Sequence, residues 1–236
     1  MLHLAMMIAL QGAPAAHSAA ASAAPTSAVQ TARLFPASGT YVYRASSDGQ
    51  AAGNARIVVA RSGASISLSE TSSGTVAGQP SSAQTAMILA PNLAPLSYAG
   101  RYDAMGKATS STVSFSGGSA TATGMSGTST LSLVADAKHF VILDGALVSG
   151  FFALPAQMKA WGDTPAIAVI AVYGVGVPIA VAPTARATPP AGVPATDVHL
   201  SFDGTVPFSE WYNPATLIVD QIDVPSQGII VTRRPA

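Results

Sequence analysis

The chain has 236 residues, enough for one domain of ordinary size or for one domain preceded by an export segment. Only 9% of the residues are charged, and the 11 basic residues balance the 11 acidic ones, so no net field attracts nucleic acid or an anionic membrane. Because 49% of the residues are hydrophobic, a packed β protein fits the composition better than a disordered chain. The absence of cysteine excludes disulfides, thiolate metal sites and a cysteine nucleophile.

The N-terminal segment resembles an export signal. Its first ten residues are apolar except for His3, and alanine, serine and other small residues follow. This order is typical of a secretory signal peptide cleaved between Ala16 and Ala28, although no Lys or Arg precedes the apolar run. The alternative is a disordered tail on a cytosolic protein. We predict a signal peptide and Ala/Ser-rich linker over residues 1–32, a single domain over 33–236, and a periplasmic or extracellular location.

Turn-bounded segments of alternating residues predict β-strands from Gly39 onward. The clearest segment is Ser65–Ser69, where apolar residues alternate with serine as in a strand with one buried face. Ser62-Gly63 before it predicts a hairpin turn. The uncharged stretch Pro165–Pro183 is long enough to raise the question of a membrane span, but its glycines and β-branched residues favour buried strands. In total we expect about eight to twelve strands.

One segment carries a helical pattern. Its apolar residues recur at helical spacing and leave almost nothing polar on the opposite side, so the helix should be covered on most sides; they are Leu147, Val148, Phe151, Phe152, Leu154 and Met158. We predict a helix over about 145–160, capped by the Asp144 carboxylate and kinked or broken at Pro155. One apolar helix among many strands predicts a mainly β fold, in which a curved antiparallel sheet (a half-barrel) wraps around a central helix.

The residue types that catalysis and metal binding require form no recognisable pattern. Beyond the N-terminal segment only His139 and His199 remain, each in or beside an apolar strand where a packed histidine is more common than a ligand. Gly124–Gly127 resembles part of a hydrolase nucleophile turn but lacks its closing glycine. Asp220 and Asp223 fall on opposite faces of a strand. We therefore predict no catalytic residue, no metal and no cofactor, while a hydrolase with an unrecognised site stays open.

Aromatic and small residues of the helix suggest an apolar gap. Phe151 and Phe152 are adjacent, so they point in different directions and at least one can face something other than the main sheet. Small residues nearby predict that the helix fills the sheet imperfectly, since bulky side chains normally complete a core. We predict that the gap is lined by four ligand-binding residues, the alternative being that all four are ordinary core: Phe151, Phe152, Met158 and Trp211.

Four segments have a counterpart in a known group of proteins. They are Tyr41-x-Tyr43-Arg44, Leu93–Tyr98, Leu143–Gly150, and an ending that runs from Glu210-Trp211-Tyr212 through Val224-Pro225-x-Gln227-Gly228-Ile229 to Arg233. In this order they resemble an exported bacterial β domain, itself similar in outline to periplasmic lipoprotein-carrier and lipid-carrier half-barrels of the LolA/LppX type. Gly145 departs from the pattern, in which asparagine follows the aspartate. The resemblance implies a curved sheet around a helix with an apolar cavity between them, and no catalytic residues.

These observations favour a non-enzymatic exported protein that binds or carries an apolar, lipid-like ligand in the cell envelope. Its expected partner is an apolar small molecule or lipid, not nucleic acid. One alternative is a structural or assembly module that acts through contacts with an envelope protein. Another is a small outer-membrane β-barrel, which ranks last because the aromatic content is 6% and the sequence ends in Arg-Arg-Pro-Ala instead of an aromatic residue.

Overall fold

A computed structural model describes residues 34–63, 65–76, 78–133, 137–144, 147–162, 166–183, 188–203 and 207–234. The signal peptide and linker predicted for residues 1–32 lie outside these ranges. The described chain forms fifteen β-strands, one α-helix and a 3-10 turn at Pro225–Gln227. The fold is therefore mainly β, as predicted, although the number of strands exceeds the expected eight to twelve.

The elements follow each other with the helix between the ninth and tenth strands. The strands are β1 (Gly39–Ser47), β2 (Gln50–Ser62), β3 (Ser65–Val76), β4 (Gln79–Leu89), β5 (Pro95–Ala104), β6 (Lys107–Ser116), β7 (Ser119–Gly124), β8 (Gly127–Ser132), β9 (His139–Ile142), β10 (Ala166–Ile170), β11 (Val175–Pro183), β12 (Val198–Asp203), β13 (Phe208–Tyr212), β14 (Val219–Val224) and β15 (Ile229–Arg234). Helix α1 covers Val148–Trp161. The predicted hairpin around Ser62-Gly63 is confirmed as β2 and β3, and the strands predicted in the uncharged stretch are β10 and β11.

All fifteen strands belong to one sheet, whose order is β8-β7-β6-β5-β4-β3-β2-β1-β15-β14-β13-β12-β11-β10-β9. The first and last strands pair at its centre, with Tyr43 opposite Arg233. Every pairing is antiparallel except that of β9 with β10. A parallel pair requires a crossover connection, and α1 provides it.

The sheet curls until its two ends touch, although no ladder joins the edge strands β8 and β9. The backbone N–H of Met125, in the turn between β7 and β8, donates to the carbonyl of Val172 beyond β10, at 2.8 Å. The hydroxyl of Ser129 on β8 donates to the carbonyl of Gly174 in the same β10–β11 turn. The result is a half-barrel whose edges meet through a few polar contacts.

Helix α1 occupies the centre of this half-barrel. Its residues from Val148 to Met158 are all buried, as the lack of a polar side predicts. Gly150 permits the helix to lie against the end of β9, because a side-chain carbon there would overlap the carbonyl oxygen of Ile142. The helix runs through Pro155 without a break, contrary to the break considered for that position. None of the helical segments in the described residues has the length and apolar character that crossing a membrane requires.

The C-terminal half of α1 is fixed to the turn that precedes β5. The Gln157 side chain donates to the carbonyl of Leu93 at 3.0 Å, and the indole N–H of Trp161 donates to the carbonyl of Asn92 at 2.8 Å. The Trp161 ring also stacks on His139, with ring centres 4.2 Å apart. These contacts close one end of the half-barrel, and the helix N-terminus faces the other end.

Candidate functional site

An apolar cleft of about 140 Å³ opens between the first turn of α1 and the concave face of the sheet. On the sheet side the cleft is lined by mostly small residues near the ends of β1 to β5 and, beside β1, by aliphatic residues on β15 and β14. The helix forms the floor. The residues that line the cleft from the inner face of the sheet and from the helix are Ala45, Gly53, Ala55, Ser72, Gly74, Ser81, Ala83, Tyr102, Ala104, Leu147, Val148, Phe151, Ile222, Val224, Ile229 and Val231.

The cleft exists because side-chain size changes along the inward rows of β2 to β4. Beneath the helix those rows carry large, fully buried residues such as Ile57, Leu68 and Met87. Toward the mouth the same rows continue with small residues, including Ser72 and Ala83, which leave the space beside the helix N-terminus unfilled. A cavity of about 150 Å³ accepts a benzene-sized molecule, whereas pockets for drug-sized ligands hold roughly 300–1,000 Å³. The cleft is therefore large enough for part of an apolar chain.

The Glu70 carboxylate caps the helix at the floor of the cleft. It accepts hydrogen bonds from the backbone N–H groups of Val148 and Ser149, at 3.1 and 2.8 Å. Both groups belong to the first turn of the helix, whose N–H groups have no partner within the helix. Burial raises the pKa of Glu70, and these two N–H groups oppose that rise. A strand residue thus supplies the cap that the helix's own N-terminal residue, Leu147, cannot provide.

The prediction that Asp144 caps the helix is wrong. The helix begins at Val148, and the Asp144 carboxylate turns instead toward β5 and the turn after β10. It accepts hydrogen bonds from the hydroxyls of Tyr98, at 2.9 Å, and of Tyr102, and from the N–H of Val172, at 3.2 Å. Asp144 therefore joins the helix approach to two other parts of the half-barrel.

A small polar cluster surrounds Asp144 inside the sheet. The hydroxyls of Tyr98 and Tyr102 lie 2.6 Å apart, and that of Tyr102 lies 3.4 Å from the hydroxyl of Ser111 on β6. Gly100 makes room beside the two tyrosines, since a side-chain carbon there would overlap the hydroxyl of Tyr102 and crowd that of Tyr98. Burial, followed by the charge of Asp144, raises the pKa of both tyrosines above the usual value. The phenols thus stay protonated and donate hydrogen bonds to Asp144. This arrangement suits a structural role better than a role as general base.

The half of the sheet formed by β12 to β15 buries a different kind of acidic residue. Glu210 is completely buried, and neither carboxylate oxygen has a hydrogen-bond partner among the described residues. It lies on the inward face of β13, opposite Leu200 on β12 and Ile222 on β14, both of which are core residues. Burial raises the pKa of Glu210 well above its ordinary value.

A second acidic group lies at the start of β12, where Asp197 immediately precedes the strand. Asp197 is buried and faces Asp220, with which it shares a hydrogen bond when one of the two carboxyl groups is protonated. Burial and the neighbouring Asp220 raise the pKa of Asp197 to about 7, while Arg233 opposes the rise. Arg233 itself donates to Asp220 at 2.5 Å. Asp220 therefore lies between a basic partner, Arg233, and a second carboxyl group, that of Asp197.

The four residues predicted to bind ligand do not come together at one site. Phe151 lines the cleft and packs edge-on against Phe208, with ring centres 4.9 Å apart. Phe152 is fully buried among Phe35, Tyr41 and Tyr43, away from the cleft. Met158 is buried two turns further along the helix and is likewise absent from the cleft lining.

Trp211 lies on the other face of the sheet. Strand alternation places its neighbours Phe208 and Glu210 inward, so Trp211 points outward, where its ring packs against His199 with centres 4.6 Å apart. Burial lowers the pKa of His199 and of His139, which packs against Trp161. Both histidines thus occupy ring-stacking positions. In the ranges that the structure describes, no group of three or more His, Asp or Glu side chains could hold a metal ion.

Most of the cleft lining was absent from the sequence prediction, yet part of it carried a signal. The alternation that buries Ile66 and Leu68 places Glu70 and Ser72 on the same inward face. A carboxylate on a buried face needs a hydrogen-bond donor, and the first turn of an uncapped helix offers several free backbone N–H groups. What the sequence did not reveal was which strand would meet the helix.

Comparison with known proteins gives no further guide to this site. No family model matches the chain, and the searches of curated proteins and of solved structures return no significant match. The likeness to lipid-carrier half-barrels, inferred from the sequence, accordingly remains a prediction, and the function must be argued from the cleft itself.

Proposed function

We propose that this protein is a non-enzymatic protein of the cell envelope that holds the apolar part of a lipid-like ligand in the cleft. The observation that supports the proposal is an apolar cleft at the open end of the half-barrel, lined by small residues on strands that carry large buried residues beneath the helix. Unfilled apolar space forfeits dispersion contacts, so an apolar occupant is favourable there. At about 140 Å³ the cleft takes a segment of an acyl or isoprenoid chain, while the rest of the ligand extends through the mouth.

A pair of substitutions on β3 tests the proposal. Ser72 is half-buried and points into the cleft, whereas Thr71 beside it is exposed on the outer face. Ser72→Phe should fill the cleft and abolish saturable binding of the uncharged probe N-phenyl-1-naphthylamine, measured by fluorescence. Thr71→Phe adds the same ring outside the cleft and should leave binding unchanged.

Three results would count against the proposal. The first is that the wild-type protein does not bind the probe saturably. The second is that both variants bind as well as the wild type, which would place the probe elsewhere. The third is that Thr71→Phe weakens binding as much as Ser72→Phe does. Thermal melts of both variants show whether either substitution merely unfolds the sheet.

The location in the envelope rests on the N-terminal segment and needs its own test. We expect the protein in the extracytoplasmic fraction of the cells that produce it, with its N-terminus between Ala16 and Ala28. Fractionation followed by N-terminal sequencing measures both. Protein from the soluble cytoplasmic fraction that still carries Met1 would contradict export and leave the binding proposal to stand alone.

A further inference from the structure

The side chains around the cleft limit the kind of ligand end that can enter it. Among the described residues that line the cleft, the only charged one is Asp103. Its neighbours Tyr102 and Ala104 face inward, so strand alternation directs the exposed Asp103 carboxylate outward. The inward positions of the cleft therefore carry no charge, and their polar groups are hydroxyls.

The helix N-terminus does not supply the missing positive charge. An open helix N-terminus attracts anions, because its N–H groups and the helix dipole point at the ligand. Here the Glu70 carboxylate already occupies the N–H groups of Val148 and Ser149. The charge of Asp144 is close enough to contribute to the raised pKa of Glu70. Two acidic groups thus lie at this end of the helix, and a further anion would meet both of them.

One basic residue stands at the rim. Lys107 begins β6 directly opposite Ala104, which lines the cleft, and its side chain is exposed. An ion pair made by an exposed ammonium contributes little in water, because both charges stay hydrated and are screened. Moving a carboxylate out of water into an apolar site costs far more unless it is paired. Lys107 is therefore too weak to admit an anionic group into the cleft.

We infer that the cleft selects lipid-like molecules whose entering end is uncharged, such as an alcohol or an ester, and rejects the corresponding carboxylate. The inference rests on the proposed function, because it specifies the ligand class of the same cleft. The hydroxyls of Ser72 and Ser81 face the cleft and provide hydrogen-bonding groups for a neutral polar end. An ionised end finds no partner charge there.

Competition between two ligands with the same tail tests the selection. Decan-1-ol and decanoate each displace bound N-phenyl-1-naphthylamine at about pH 8, where a carboxylic acid is ionised. The alcohol should displace the probe at a concentration roughly tenfold or more below that of decanoate, because burying an unpaired charge is costly. Near pH 4, where the acid is largely protonated, the concentrations of the alcohol and the acid that displace the probe should become similar.

A matched pair of lysine variants tests whether a positive charge inside the cleft reverses the selection. Ser72→Lys brings an ammonium into the cleft and should improve displacement by decanoate relative to decan-1-ol. Thr71→Lys places the same charge on the outer face and should leave the ratio as in the wild type. Lys107→Gln should also leave it unchanged.

The possible failures are distinguishable. If both ligands displace the probe but decanoate does so as well as the alcohol, the proposed function stands and the charge selection is wrong. If Thr71→Lys changes the ratio as much as Ser72→Lys does, the selection arises from overall charge and the inference is again wrong. If neither ligand displaces the probe, or the probe does not bind, the proposed function fails together with this inference.

Discussion

The two halves of the sheet bury acidic side chains in opposite ways. Glu70 on β3 and Asp144, whose carboxylate lies against β5, are each bonded to at least two donors. In the half formed by β12 to β15, Glu210 is just as buried, yet neither of its oxygens has a partner among the described residues. The same functional group therefore fixes the helix in one half and costs stability in the other. Burial alone does not reveal which role a carboxylate plays.

Among the substitutions of buried acidic residues, removing the hydrogen-bonded carboxylate of Glu70 should have the largest effect on the free energy of unfolding. Glu70→Ala leaves two buried N–H groups of α1 without an acceptor and opens a cavity, and we expect a loss of about 4 kcal/mol in unfolding free energy. Urea denaturation measures it. Glu70→Gln retains one carbonyl acceptor and should lose about half as much. A loss below about 0.5 kcal/mol for Glu70→Ala would show that the helix does not depend on this cap.

Removing Asp144 should cost somewhat less, about 2–3 kcal/mol. Its alanine variant deprives Tyr98, Tyr102 and Val172 of an acceptor, but the two phenols keep each other as partners at 2.6 Å. Tyr98→Phe removes a single donor from the cluster and should cost about 1 kcal/mol. In a double-mutant cycle the two effects should not add, because both substitutions break the same bond. Additive losses would contradict the cluster.

The unpaired carboxylate of Glu210 should respond in the opposite direction. A folded-state pKa above the unfolded one means that the folded protein binds more protons between the two values, so stability falls as pH rises through that window. Glu210→Gln cannot ionise and should lack this decline. We expect a variant close to the wild type near pH 4 and more stable by about 1–2 kcal/mol near pH 8. Melting temperatures over this range measure the difference.

The control for the loss of one negative charge is Asp103→Asn, because Asp103 is exposed on the outer face of β5. It should melt like the wild type at every pH. A Glu210→Gln variant that is less stable than the wild type at high pH would mean that Glu210 is paired in the folded protein. The contrast between the two halves of the sheet would then disappear.

Asp197 should give the smallest effect. Its pKa is raised to about 7, so its contribution to stability is lost as pH rises from about 4 through 7. Asp197→Asn should flatten the stability profile over this window by about 1 kcal/mol in total, because solvent and the neighbouring Arg233 weaken the effect of the carboxylate charge. Arg233→Gln should extend the decline to higher pH than in the wild type, since Arg233 opposes the rise in the Asp197 pKa. A flat wild-type profile would remove the basis for both expectations.

The features that the sequence predicted are those set by neighbouring residues. Alternation in β3 and the apolar stripe of α1 each depend on a few consecutive positions, and both are confirmed. The strand count was too low partly because a short strand near the edge, β7, consists entirely of Gly, Ala, Ser and Thr. Such residues have little apolar contrast, so the period-two pattern is weak there.

The errors concern partners that are distant in the chain. Asp144 immediately precedes an apolar run and so has the local signature of a cap, but Glu70 takes that position from 78 residues away. No local pattern could show which of the two carboxylates caps the helix, because the answer depends on which strand lies over the helix N-terminus. Trp211 differs: its alternation with Glu210 and Phe208 already indicated that it could not share their face.

The pairing of β1 with β15 at the centre of the sheet has a consequence for folding. The strands from β1 to β8 form successive hairpins, whose short loops cost little entropy to close. The β1–β15 ladder instead joins segments from opposite ends of the chain, and contacts of such large sequence separation are slow to form. In a chain reordered to run from β9 through β15 and directly into β1, nearly every strand would pair with the strand that precedes it in the sequence. Such a circular permutant should reach the same half-barrel faster than the natural order does.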